Sequence, residues 1–135
     1  MKILVYELRA KYGWVAIDED VERLLPSTGR GVVHLLSKGS TSSLILIEAD
    51  PHLIEDLFDF LDKHIPFTNN YKHHLTWGDD NGASHLRATL LGQQLFVPFK
   101  DGKLLKGTWQ NIVLINHDTH PRKREVFMTL CFEDS

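Results

Sequence analysis

Leu44-Ile45-Leu46-Ile47-Glu48-Ala49-Asp50-Pro51-His52-Leu53-Ile54 decides the fold class, because a strand and a helix meet inside it. The apolar run 44–47 is too short for a helix and suits a buried strand. Asp50-Pro51 then starts a helix: the carboxylate accepts free N–H groups of the first turn, and Pro at the first helical position gives up no bond. Leu53, Ile54, Leu57, Phe58, Phe60, Leu61 and Ile65 form a broad apolar face, and Pro66 closes the helix.

Strand signals dominate on both sides of this junction. Upstream, Val32-Val33-His34-Leu35-Leu36 is a second buried strand, joined to 44–47 by the polar turn Lys38-Gly39-Ser40-Thr41. Residues 2–9 read as a first strand and Trp14-Val15-Ala16 as a short one. Val21, Leu24 and Leu25, spaced i, i+3, i+4 after Asp18, suit a short helix ended by Pro26. Downstream, residues 67–82 form a long polar connection, of the kind that is functional or disordered in a compact domain. A helix over 84–91 follows, capped by Ser84 or Asn81, with Leu86, Leu90 and Leu91 facing inward and Gly92 as its stop. Strands at 95–99, 112–115 and 125–132 complete the chain, with Glu133-Asp134-Ser135 as a frayed tail. Many strands and one main helix predict a single α+β domain over 1–135: an antiparallel β-sandwich or pseudo-barrel capped by the 51–65 helix.

Composition narrows the function classes. The 135 residues carry 42% apolar side chains, enough for one core, and a net charge of -3 without a basic tract, which argues against nucleic-acid binding. No apolar run approaches the length of a membrane span, and Met1-Lys2-Ile3-Leu4-Val5-Tyr6-Glu7 turns polar too early for a signal peptide, so a cytoplasmic protein without membrane contact is expected. Cys131 is the only cysteine, reads as a strand residue, and excludes both an intrachain disulfide and a thiolate cluster.

Eight histidines are the unusual feature, and His73, His74, His85, His117 and His120 all fall in loops or at element ends. Imidazole is a common metal ligand and titrates near neutral pH. The spacings match no local zinc motif, so each histidine taken singly reads as surface or structural.

Taken in order, Ile47-Glu48 with Asp50-Pro51, Tyr71-x-His73, Ser84-His85-Leu86, Leu90-Leu91-Gly92, Val97-Pro98, Gly102-Lys103-Leu104, Gly107-Thr108-Trp109-Gln110 and Pro121-Arg122-Lys123-Arg124 resemble the YjbQ-like family over about three-quarters of the chain. The resemblance implies a small α+β domain that assembles as a homotrimer. It also implies a secondary thiamine-phosphate synthase activity: joining a pyrimidine pyrophosphate to a thiazole phosphate with loss of pyrophosphate. The small phosphorylated metabolite would sit in a pocket where three histidines bind a divalent ion, zinc or magnesium.

Carried over position by position, the first two ligands are His73 and His85, while the third aligns with Gly39 in Gly39-Ser40-Thr41-Ser42-Ser43. His117 and His120 rank as compensators ahead of His74, which in an extended segment faces away from His73. Glu48 takes the acidic position after the 44–47 strand, as a catalytic base, a partner for an imidazole, or a surface charge. Trp109 and Gln110 are the substrate-binding pair, the indole as a ring floor and the amide for a polar edge, with core packing as the plain alternative for Trp109. Arg122 and Arg124 alternate along an extended segment and share a face, which suits gripping phosphate, with Arg122 also the catalytic group for the leaving pyrophosphate. Two functions therefore compete: a transferase of the thiamine-phosphate synthase type, and a non-catalytic trimeric metabolite- or phosphate-binding protein with a degraded metal site.

Overall fold

The computed structural model describes residues 1–77 and 80–133. Its elements run β1 (Lys2–Leu8), β2 (Gly13–Ala16), α1 (Asp18–Arg23), β3 (Arg30–Ser37), β4 (Ser42–Ile47), α2 (Pro51–His64), α3 (His74–Trp77), α4 (Gly82–Leu91), β5 (Gln94–Lys100), β6 (Lys103–Leu104), β7 (Asn111–Asn116) and β8 (Arg122–Phe132). All strand pairings are antiparallel, in a curled five-stranded sheet ordered β1-β8-β3-β5-β6 and a three-stranded sheet ordered β2-β7-β4.

Alternation along the strands explains the layering. Val33 and Leu35 of β3, Val97 and Phe99 of β5, and Val126 and Met128 of β8 meet Leu44 of β4 and Ile112 and Leu114 of β7 between the sheets. The other face of the small sheet is also covered: Val113 and Ile115 pack under Ile54, Phe58, Leu61 and Ile65 of the α2 region. β7 is thus buried on both faces, which is why Ile112-Val113-Leu114-Ile115 is continuously apolar rather than alternating.

The expected α2 is present, and the Asp50 carboxylate accepts from the His52 and Leu53 N–H groups at 3.3 Å each. Two details are added and one expectation changes. The strands 32–36 and 44–47 are joined by the polar turn but lie in different sheets, so residues 38–41 cross the edge of the sandwich. The 67–82 connection contains the short α3, while Gly78 and Asp79 lie outside the described residues. In α4, Leu86 and Leu90 are exposed and the inward face is Ala83, Ser84, Arg87 and Ala88.

Arg87 accounts for that reversal. Its Nε and Nη2 donate to the Ile65 carbonyl at 3.0 and 2.7 Å, and Nη2 donates to Asp62 Oδ1 at 2.9 Å. A guanidinium thus closes the C-terminus of α2, where unpaired carbonyls and the helix dipole favour a cation. Its Cζ lies 4.0 Å from the Phe67 ring centroid. At the chain end, Glu133 is tied to β3 through its N–H bond to the Arg30 carbonyl at 2.8 Å; residues 134 and 135 of the expected frayed tail lie outside the described residues.

Candidate functional site

The turn between β3 and β4, the end of β7 and the start of β8 come together at one edge of the sandwich. Ser42 pairs with Asn116 at the start of β4, and the His117 N–H donates to the Thr41 carbonyl at 2.9 Å. β8 then returns past this edge and delivers Arg122 and Arg124, two residues apart and therefore on one face.

Asp118 is the hub. Its Oδ2 accepts from Thr41 Oγ1 and from Arg122 Nε, each at 3.0 Å, and Oδ1 accepts the His120 N–H at 3.3 Å. Burial works to raise the Asp118 pKa, but the Thr41 and Arg122 hydrogen bonds, the Arg122 charge and the His120 N–H outweigh it, so the net shift is downward. Arg124, only 6% exposed, donates through Nη2 to Thr41 Oγ1 at 2.6 Å and to Asn116 Oδ1 at 2.7 Å. Burial lowers its pKa from the usual guanidinium value; Asp118 opposes the shift and Arg122 adds to it.

His117 is fully buried below this hub. Its Nε2 lies 2.8 Å from Ser43 Oγ, and its Nδ1 is buried without a partner. Burial, then the charges of Arg87 and Arg124, drive its pKa down to about 3, so the ring is neutral across the physiological range. It is a core histidine rather than a substitute for the missing ligand. His120 is exposed, and His74 Nε2 accepts the Gly82 N–H at 3.3 Å.

His73 and His85, separated by twelve positions, do meet: their half-buried rings stand edge to face with centroids 4.6 Å apart. They adjoin the hub through Ser84, whose hydroxyl donates to the His117 carbonyl at 2.6 Å. Among the described residues no group of three or more His, Cys, Asp and Glu side chains gathers as a ligand set. The expected third position is a glycine whose backbone conformation disfavours a histidine. Gly39 has φ of +125°, a backbone that disfavours other residues, and a Cβ built there would lie 2.6 Å from Arg124 Nη1. Two imidazoles without a third ligand among the described residues do not fit a resident divalent ion.

The remaining expected residues lie elsewhere. Glu48 is exposed just beyond β4, beside the segment holding Trp109 and Gln110, at the Asn111 end of the small sheet. Asn111 and Asn116 are five residues apart, so this end is roughly 17 Å from the Arg124 end at the usual rise per strand residue. Trp109 is 71% exposed and packs in no core cluster, while Gln110 Oε1 accepts the Gly107 N–H at 2.8 Å and holds its own turn. Within this chain, Glu48, Trp109 and Gln110 do not join Arg122, Arg124, His73 and His85.

Asn116, Asp118 and Thr41 were missed from sequence. The available signal was the abrupt change from Ile112-Val113-Leu114-Ile115 to Asn116-His117-Asp118-Thr119, a polar string directly after a wholly buried strand. Two grooves flank the region. One of about 410 Å³, where the end of β1 pairs with the start of β8, is lined by Glu7, Leu8, Arg9, Pro121, Arg122 and Lys123, three cations against one carboxylate. The other, about 510 Å³ beside α2, sets Glu55, Asp59 and Asp62 against Arg9, over Tyr12, Trp14 and Phe58, and would repel a phosphate.

Comparison with known proteins gives a consistent result. The family described as UPF0047 protein YjbQ-like matches residues 3–133. A UPF0047 protein of Archaeoglobus fulgidus is 38% identical over 114 residues, 84% of this chain and 87% of that protein. The UPF0047 protein YjbQ of Escherichia coli O157:H7 is 32% identical over 96% of this chain and 95% of its own. Among solved structures, a YbjQ-like protein of unknown function from Sulfolobus solfataricus superposes with a TM-score of 0.86 at 27% identity, covering 98% of this chain and 96% of that one. A conserved hypothetical protein from Thermus thermophilus gives 0.81 at 32% identity over 95% and 99% of the two chains.

Proposed function

This chain belongs to the YjbQ-like UPF0047 family, and we propose that it binds a small phosphorylated metabolite where the β1–β8 groove meets the Asp118 hub. The observation that carries this reading is Arg122. It lines the cationic groove and bonds Asp118 through Nε, while its side chain remains 49% exposed. A guanidinium oriented by a carboxylate and open to solvent is well suited to grip a phosphate, and Arg9 and Lys123 reinforce the field. A calorimetric titration with inorganic pyrophosphate tests it. Binding should weaken about tenfold in Arg122→Ala, the loss of one charge-assisted hydrogen bond. No binding by the parent, or equal binding by the variant, refutes the reading.

The contact of His73 with His85 favours a second, finer reading, the transferase activity that the family resemblance implies. In it, the pyrophosphate leaves with the electron pair of its carbon–oxygen bond as the thiazole phosphate adds, and Arg122 and Arg124 offset its growing charge. Glu48, Trp109 and Gln110 enter it only if a neighbouring copy in a homotrimer supplies the opposite end of its small sheet. Rescue of a host lacking thiamine-phosphate synthase, abolished by Arg122→Ala and Glu48→Gln, is expected here. A soluble parent that fails to rescue leaves the binding reading alone, and a monomeric mass in solution removes Glu48, Trp109 and Gln110 from the site.

A further inference from the structure

Beside α2 lies the groove of about 510 Å³ that the phosphate reading does not use. One wall is the helix stripe Glu55, Asp59 and Asp62, spaced i, i+4, i+7. The floor is aromatic: Tyr12 and Trp14 are half-buried, and the buried Phe58 stands edge to face with Tyr12, their centroids 5.2 Å apart. Asp62 is fixed from within the chain, accepting from the Tyr12 hydroxyl at 3.0 and 3.1 Å and from Arg87 Nη2 at 2.9 Å. Glu55 and Asp59 are not. Among the described residues neither makes an ion pair or a side-chain hydrogen bond, and Arg9, the one cation lining the groove, bonds neither of them. Like charges at i, i+4 oppose the helix that carries them, so stability does not explain the arrangement.

The adjoining groove, which shares Tyr12 and Asp62, shows what such a surface takes. There the chain's own Lys11 sets its ammonium 5.0 Å from the Phe67 ring centroid. The α2 groove has the same rings and carboxylates but no ammonium. A compact divalent ion does not match it, because no three of its carboxylates gather as a ligand set among the described residues. Along the helix axis they are separated by about 6 Å and about 4.5 Å at the usual rise per residue. Three or four methylenes between two nitrogens span about 5 to 6 Å at ordinary bond lengths. We propose that the α2 groove is a second binding site, for a linear aliphatic polyamine whose ammonium groups pair with Glu55, Asp59 and Asp62 while its methylenes lie on Tyr12, Trp14 and Phe58. Nothing in this depends on the phosphate reading of the Asp118 hub.

The test is calorimetric titration of the full chain with spermidine at low ionic strength, with magnesium chloride as the compact-cation comparison. One spermidine per chain is expected, bound more tightly than magnesium. Asp59→Asn and Glu55→Gln should each weaken it about tenfold, as one charge-assisted contact is lost. Both side chains are exposed and unpaired, so both variants should fold, with a thermal midpoint no lower than the parent's. Asp56→Asn removes the same charge from the same helix but outside the groove, and should leave the affinity within about twofold. Absence of spermidine binding, its displacement by an equal concentration of magnesium, or equal losses in Asp56→Asn and Asp59→Asn overturns the proposal, the last by reducing it to a diffuse charge effect.

Discussion

Acidification should destabilise this protein well above the pH at which its carboxylates titrate, and His117 is the reason. A free imidazole takes up a proton near pH 6.5, while burial, Arg87 and Arg124 hold the folded-state value at about 3. Between those values the unfolded chain binds a proton that the folded chain refuses, so stability falls as pH falls. The contribution is intact above pH 6.5, erodes through the window from 6.5 to 3, and is fully lost below it. At 1.36 kcal/mol per pKa unit, the loss on going from pH 7.5 to 5 is about 2 kcal/mol. Urea unfolding followed by tryptophan fluorescence at several pH values measures it. His117→Gln keeps a neutral polar group near Ser43 and should flatten the profile over that window, whatever its own effect on stability at pH 7.5. A variant as pH-dependent as the parent would refute the assignment.

Arg87→Met should destabilise by about 3 kcal/mol in the same assay, because it leaves the Ile65 carbonyl buried and unpaired and Asp62 without its cation. Arg87→Lys should recover little, since a single ammonium cannot span both acceptors as the planar fork does. Trp109→Ala should change stability by no more than about 0.5 kcal/mol, as expected for a largely exposed side chain, and a larger loss would mean the indole is covered by another copy. In the monomer, Glu48→Gln should leave pyrophosphate affinity unchanged, because the carboxylate lies at the far end of the small sheet from Arg124.

Local chemistry explains what was legible in the sequence. The α2 start followed from the carboxylate of Asp50 and the ring of Pro51, and the strands from runs and alternation that a sheet imposes on its own residues. His73 and His85 were legible as a pair only through their family motifs, since their twelve-residue separation has no local geometry; the fold of the 67–82 connection against α4 is what brings the rings together. The exposure of Trp109, which removes its packing alternative, was not legible because an aromatic residue beside a turn carries no mark of whether a core lies within reach. Arg87 was hidden for a related reason. Its place inside α4 depends on the open carbonyl of Ile65, an acceptor created by the end of another helix.

The sequence by itself determined the α+β class, the single core, the main helix and the family motifs, because these rest on periodicity, capping and ordered residue strings. It also determined that position 39 is glycine, which read alone was a lost ligand. Only the tertiary structure decided what that loss means. The turn 38–41 crosses between two sheets, and β8 runs past the same edge, so Arg124 and Gly39, 85 positions apart, lie against one another. Proximity and the balance of buried charge are properties of the packed chain, and they set the Arg124 guanidinium beside that glycine at the edge of the sandwich.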